Sequence, residues 1–182
     1  MRSIASRDVE VARPIRLILS DVDGVMTDGR LIIDNSGVES KAFHVRDGIA
    51  VKYWQKAGFQ FGILTARTSQ IVKLRANELG VSLLRQGFEE KLPAAIEMIQ
   101  QTQLSPEEVC YIGDDLPDLP VMFHVGLSVA VADAAEEVRG QAKWTLRTPG
   151  GHGALRELIE RLLKAKSRWE DFVPRPLNGN RK

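Results

Sequence analysis

Short apolar runs alternate with longer amphipathic ones along most of this chain. The runs IRLIL (15–19), FQFGIL (59–64), VSLL (81–84), VCYIG (109–113) and LSVAV (127–131) are rich in branched and aromatic residues and bounded by turn formers, the pattern of buried strands. Between them GIAVKYWQKAG (48–58), TSQIVKLRANELG (68–80), EEKLPAAIEMIQQ (89–101) and DAAEEVRGQA (133–142) read as helices, two of which close on Gly, a usual stop signal. This alternation predicts an α/β fold, a Rossmann-like three-layer sandwich with a mostly parallel sheet. GALRELIERLLKAK (153–166) has apolar residues at helical spacing and predicts a final helix. One segment breaks the pattern. RLIIDNSGVESKAF (30–43) has two β-like arms around DNSG, which predicts a β-hairpin inserted between the first strand and the first helix.

With 182 residues, 43% of them hydrophobic, the chain can bury one core. The division expected is an N-terminal extension over 1–14, one domain over 15–166 containing the hairpin, and a flexible, Pro-rich C-terminal tail over 167–182. A formal net charge of +1 gives no field for holding nucleic acid. The single cysteine, Cys110, leaves no intrachain disulfide and no Cys-based zinc cluster, which points to a reducing, cytoplasmic setting. The N-terminal stretch lacks the apolar core of a signal peptide. No run approaches the roughly 20 apolar residues of a membrane span.

Candidate chemistry lies where these strands end, since ligands of open α/β sheets bind outside the carboxyl ends of the strands. The stretch SDVDGVMTDG follows the first strand and brings Asp21 and Asp23; Thr65 follows the second; Asp114, Asp115 and Asp118 follow the fourth; Lys91 opens the helix after the third. Carboxylates with few nitrogen ligands suit a hard cation such as Mg²⁺, and a lysine with a hydroxyl suits a phosphate. Asp21 as nucleophile and Asp23 as general acid and base would split phosphate ester hydrolysis into two displacements.

Each piece alone has an ordinary explanation. D-x-D-G is a common turn composition, Thr65 could cap a helix, Lys91 could lie on a solvated face, and GDDLPD could be a helix-entry loop. An EF-hand is excluded, because the sixth and twelfth positions counted from Asp21 are Met26 and Ile32. The conjunction of these pieces, in this order and each at a strand end, is what carries the functional reading.

These residues resemble the four motifs of the haloacid dehalogenase superfamily of phosphatases: DVDGVMTDG, ILTAR, Lys91 and GDDLPDLPVM. From Ile15 to Lys164 the chain is most similar to the 3-deoxy-D-manno-octulosonate 8-phosphate phosphatase family, with KAFHVRDG, VGLSVAVADA and GGHGALRE among the shared stretches. The resemblance implies a capless catalytic domain over 15–166, a Mg²⁺ cofactor, an aspartyl-phosphate intermediate and a phosphorylated sugar acid substrate from lipopolysaccharide precursor synthesis. It implies a homotetramer in which the hairpins of the subunits pack together.

Carried over by position, Asp21 matches the nucleophile and metal ligand, Asp23 the acid/base residue whose carbonyl also binds metal, and Asp114 the remaining ligand. Thr65 and Lys91 match the phosphate binders, with Asp115 and Asp118 around them. His44, Val45, Arg46, Asp47, Gly48, Lys52, Arg67 and Arg75 align with positions that line the substrate pocket. His44 stands where Asn is expected, Lys52 where Arg is common and His152 where Arg or Lys is usual, so a phosphatase of nine-carbon ulosonate 9-phosphates is the alternative. A non-catalytic tetramerisation module and a phospho-receiver domain also use parts of this pattern. Retention of Asp21, Asp23, Lys91 and Asp114 opposes the first, and the order of Lys91 before GDD opposes the second.

Overall fold

A computed structural model of the chain describes residues 6–174. Six strands among them form one parallel sheet: β1 (Leu17–Ser20), β4 (Gln60–Thr65), β5 (Leu83–Gln86), β6 (Val109–Gly113), β7 (Leu127–Ala130) and β8 (Trp144–Thr145), ordered β5-β4-β1-β6-β7-β8. The five expected strands are present; the two-residue edge strand β8 is an addition that its polar flanks conceal in the sequence. β1 is central because LILS is buried at every position, on both faces of the sheet.

The helices are α1 (Ser6–Ala12), α2 (Val45–Lys56), α3 (Gln70–Leu79), α4 (Lys91–Thr102), α5 (Leu119–Met122), α6 (Glu136–Gln141) and α7 (Ala154–Ala165). Contacts join α2 with α7 and α3, and α1 with α7, whereas α4 packs with α5; right-handed crossovers set these two groups on opposite faces. α7 buries Leu155, Leu158, Ile159, Leu162 and Leu163, an apolar stripe at helical spacing. Each such side chain contributes about 1.5–3 kcal/mol on leaving water. α3 ends at Gly80, whose φ of 70° gives the left-handed cap that the sequence signalled.

The hairpin forms between β1 and α2. β2 (Ile32–Ile33) pairs antiparallel with β3 (Glu39–Ser40), and the Asp34 carboxylate closes the turn by accepting from the Ser36 and Val38 amides, both at 2.8 Å. Leu31, Ile32, Ile33 and Val38 stand exposed on it.

The boundary expected at 167 for a flexible tail comes too early. Trp169 is buried and Phe172 stacks on Tyr53 of α2 with ring centroids 4.7 Å apart, while Arg156 lies 4.6 Å over the Trp169 ring. Aromatic packing against α2 and α7 therefore docks this segment, a gain that Pro-rich composition hides. Residues 175–182 lie outside the described residues.

Candidate active site

The sheet reverses its winding direction at β1, with β4 and β6 on either side, and the crevice at such a switch point is where α/β folds bind ligands. In register Ser20 lies beside Ile63 and Ile112, so Asp21, Thr65 and Asp114 leave their strands within two residues of one another. Asp21 is 6% exposed; its amide continues the ladder to the Ile112 carbonyl at 3.1 Å. The chain then folds back tightly, the amides of Val25, Met26 and Thr27 all reaching the Val22 carbonyl. Gly24 makes this possible twice over: its φ is 91°, and a Cβ there would sit 2.1 Å from Asp114 Oδ2.

Lys91, the first residue of α4, is buried with its ammonium 2.6 Å from Asp118 Oδ1 and 3.0 Å from Asp21 Oδ1. Asp118 is fully buried and saturated. Its Oδ1 accepts from Lys91 and from the Tyr111 hydroxyl at 2.6 Å, and its Oδ2 from the amides of Asp114 at 2.9 Å and Asp115 at 3.2 Å. One oxygen each of Asp21, Asp114 and Asp118 lie within 4.8 Å of one another. Asp114 Oδ1 is buried without a hydrogen bond, and Asp21 Oδ1 is buried with the Lys91 ammonium 3.0 Å away as its one counter-charge. Two neighbouring carboxylates with buried oxygens, one of them without a hydrogen bond, fit a hard divalent cation such as Mg²⁺; Asp118, with all its donors, fits the task of holding Lys91.

Electrostatics agree with that division. Burial, with the Asp118 charge behind it and Lys91 opposing, raises Asp21 to about 7. Burial and the charges of Asp21 and Asp118 raise Asp114 to about 8. Burial alone would depress Lys91, yet Asp21 and Asp118 outweigh it and hold the ammonium above its usual range.

Asp23 is held differently. Its Oδ1 accepts a hydrogen bond from Lys41, its Oδ2 lies 3.9 Å from Arg67 Nε, and the Thr27 hydroxyl is 3.5 Å from Oδ1. Glu39 ties the two cations together, 3.4 Å from Lys41 and 3.1 Å from Arg67, and accepts from the Ser69 hydroxyl at 2.7 Å. Neither Glu39 nor Lys41 was singled out by the sequence reading. Their i, i+2 spacing on the hairpin's return arm was the available signal, since it sets both side chains on one face.

The remaining pocket candidates divide. Thr65 is buried at the end of β4, and its carbonyl accepts from the Gly87 amide in the loop leading to Lys91. Arg75 pairs with Glu78 at 2.7 Å and lies 5.4 Å over the Phe43 ring. Gly48 leaves it room, because a Cβ there would meet Arg75 at 2.4 Å. Asp47 is tied to α7: Oδ1 accepts from the Arg156 amide at 2.7 Å and so caps that helix, while burial raises its pKa against that bond. The His44 ring lies over Gly153, where a Cβ would sit 3.6 Å from it. Val45, Arg46 and Lys52 are exposed on the first turns of α2. Asp115 is exposed as well, and its carboxylate caps the local turn at the Leu116 amide, so only its backbone amide serves the cluster, through Asp118. Asp28 shapes the turn into the hairpin by accepting from the Arg30 amide at 3.1 Å. The loop at Gly150 and Gly151 presses on this turn so closely that a Cβ at Gly150 would lie 1.7 Å from the Gly24 carbonyl oxygen.

A doubly wound sheet with Asp-x-Asp after its central strand and a buried Lys–Asp pair beside it defines a haloacid dehalogenase-like hydrolase, and the family of that description matches residues 84–158. A 3-deoxy-D-manno-octulosonate 8-phosphate phosphatase from Yersinia pestis is 44% identical over 167 residues, 92% of this chain and 89% of its own. The crystal structure of the phosphatase of that name from Yersinia pestis superposes with a TM-score of 0.90 at 44% identity, over 92% of this chain and 90% of its own. A Moraxella catarrhalis phosphatase in complex with magnesium, phosphate and KDO gives 0.90 at 35% identity, over 93% and 97%. The chain belongs to the haloacid dehalogenase-like hydrolases and, within them, to the family of these relatives.

Proposed function

We propose that this chain is the Mg²⁺-dependent phosphatase that converts 3-deoxy-D-manno-octulosonate 8-phosphate to the free sugar acid and orthophosphate, as its relatives are named to do. The observation that carries the reading is the cluster of buried carboxylates of Asp21 and Asp114 beside the Lys91 ammonium, with Asp114 Oδ1 left without a hydrogen bond. Asp21 and Asp114, with the Asp23 carbonyl, would hold Mg²⁺, which when bound neutralises charge between a carboxylate nucleophile and a phosphate dianion.

Asp21 attacks phosphorus while the bond from phosphorus to the sugar oxygen breaks, and Asp23 gives that oxygen its proton. Water then attacks the aspartyl-phosphate and passes its proton to Asp23. The phosphorus–Asp21 bond breaks, releasing orthophosphate and restoring both residues. Lys91 and the Thr65 hydroxyl hold the phosphate oxygens, and Arg67 and Arg75 face the carboxylate end of the sugar. We place the protein in the cytoplasm, in keeping with its single, free cysteine, and in lipopolysaccharide precursor synthesis. Among the described residues no helix is long and apolar enough to cross a membrane. The exposed aliphatic side chains of the hairpin supply the contact surface of a homotetramer, which sedimentation would register.

The test is phosphate release with Mg²⁺ from eight-carbon and nine-carbon ulosonate phosphates side by side, with Asp21→Asn as the blank. Preference for the eight-carbon ester, lost in the blank, is the expected outcome. No metal-dependent release from either would sink the reading.

A further inference from the structure

Lys41 is an unusual residue to find beside a charged site. It enters from the return arm of an otherwise exposed hairpin, yet its side chain is 1% exposed, and its ammonium is spent on two carboxylates, Asp23 and Glu39. Burying an ammonium costs several kcal/mol unless partners compensate, so the pairing rather than solvation fixes where it sits. Glu39 in turn is anchored: the Ser69 hydroxyl and the Arg67 guanidinium hold its carboxyl below the usual range, with Lys41 adding to them. The result is a chain of polar contacts, Ser69–Glu39–Lys41–Asp23, whose three charges alternate in sign and which ends on the residue next but one to the buried Asp21.

We propose that Lys41 is a positioning residue for the phosphoryl transfer, holding the Asp23 carboxyl at the leaving-group oxygen, and that Glu39 sets Lys41 in place. The inference rests on the phosphatase reading above. Geometry separates this role from that of Lys91, which is committed to Asp21 and Asp118 and reaches the phosphorus side of the site. It also separates Lys41 from Arg67, whose guanidinium stands 3.9 Å from Asp23 and is 45% exposed, open to a substrate in a way that Lys41 is not. In the first displacement the bond between phosphorus and the ester oxygen breaks as Asp21 bonds to phosphorus, and a proton carried on Asp23 Oδ2, the oxygen that Lys41 does not bond, moves to that oxygen. A misplaced Asp23 therefore costs most where the leaving oxygen is a poor anion.

The experiment compares kcat/KM, which reports steps through the first displacement, for three monoesters: the eight-carbon sugar acid phosphate, ribose 5-phosphate and p-nitrophenyl phosphate. The first two leave as alkoxides and need the proton; the nitrophenolate does not. Lys41→Met is expected to lose about ten- to a hundredfold on both alkyl esters alike and little on the aryl ester. Lys41→Arg should recover part of the loss, and Glu39→Gln should show the same pattern more weakly. Loss confined to the sugar acid ester would overturn the proposal in favour of direct contact with the substrate carboxylate. Equal loss on all three would reduce Lys41 to a structural role and overturn it too. A wild-type protein that turns over none of the three overturns the phosphatase reading itself, an outcome distinct from either pattern.

Discussion

Asp21 and Asp23 are two residues apart, yet they are held by different means. Asp21 is placed by backbone: it extends the ladder of β1 onto β6, and its counter-charge, Lys91, is fixed as the first residue of α4 by the saturated carboxylate of Asp118. Asp23 is placed by side chains, clasped by Lys41 from the hairpin and by Arg67 from the loop after β4. The first arrangement is buried; the second is partly exposed through Asp23 and Arg67 and draws on an inserted element. The difference teaches that a sheet's strand ends can fix a nucleophile and a metal site, while the proton-transfer group depends on whatever packs above them.

The largest effects should come from breaking the backbone-placed side. Asp21→Asn should lower kcat by on the order of a thousandfold or more, because no covalent intermediate can form. Lys91→Met should cost about a hundred- to a thousandfold in kcat. It should also destabilise the fold by about 3–5 kcal/mol, since Asp21 and Asp118 would be left buried without their cation. Phosphate release and urea unfolding measure the two together. A Lys91→Met protein of unchanged stability would show that the buried pair is not what holds this end of the sheet.

A second, intermediate effect concerns pH. Asp21 is raised to about 7 and Asp114 to about 8 from an ordinary 3.8, so through roughly pH 4 to 8 the native state keeps protons that the unfolded chain has released. The stabilising contribution is complete below pH about 4 and is lost as pH rises through 7 and 8. The metal-free protein is therefore expected to melt several degrees lower at pH 8.5 than at pH 5. Mg²⁺ prefers the ionised carboxylates and should add more to Tm at the higher pH. Asp114→Asn should flatten both trends in a thermal melt with and without EDTA. A metal-free Tm that rises over this range would contradict the crowding of carboxylates described here.

How far the sequence could be read follows the same line between the two regions. The five buried strands, the hairpin and the positions of Asp21, Thr65, Lys91 and Asp114 were legible because a run of LILS or VCYIG can only sit inside a sheet, and the residue after it must then sit at the edge. Lys41 and Glu39 were not, because nothing local distinguishes a lysine folded back onto Asp23 from one pointing to water. The docking of Trp169 and Phe172 escaped for the same reason: Tyr53, more than a hundred positions away, is what makes that segment apolar ground. Asp115 stands beside the cluster as expected, but it reaches Asp118 through its backbone amide and not its carboxylate. GDDLPD offers three aspartates for a few places, and only the fold decides that Asp118 takes the lysine while the Asp115 carboxylate caps its own turn.

Smaller effects should come from the arginines. Arg67 is half-exposed and pairs with Asp23 and Glu39, whereas Arg75 is nearly buried against Glu78 and Phe43. Arg67→Ala is expected to raise KM for the sugar acid ester about tenfold and Arg75→Ala about threefold, by loss of charge-assisted bonds to the substrate carboxylate. Initial-rate kinetics on the sugar acid ester and on p-nitrophenyl phosphate would separate this from a defect in phosphate binding. Equal rises on both esters would move the arginines from the sugar end to the phosphate end.

The smallest effect tests whether Asp47 belongs to the pocket at all. Its Oδ1 accepts from the Arg156 amide, and its Oδ2 is buried without a hydrogen bond, so its hydrogen bonding serves the start of α7. An asparagine keeps the accepting oxygen and removes the cost of a buried charge, which burial already registers as a raised pKa. Asp47→Asn should therefore leave kcat and KM within about twofold. Asp47→Ala, which removes the cap, should cost about 1–2 kcal/mol in urea unfolding with KM still unchanged. A pocket residue would behave the other way round, with KM for the sugar acid ester rising in both variants and stability holding. That result would return Asp47 to the substrate side and show that α7 is capped well enough without it.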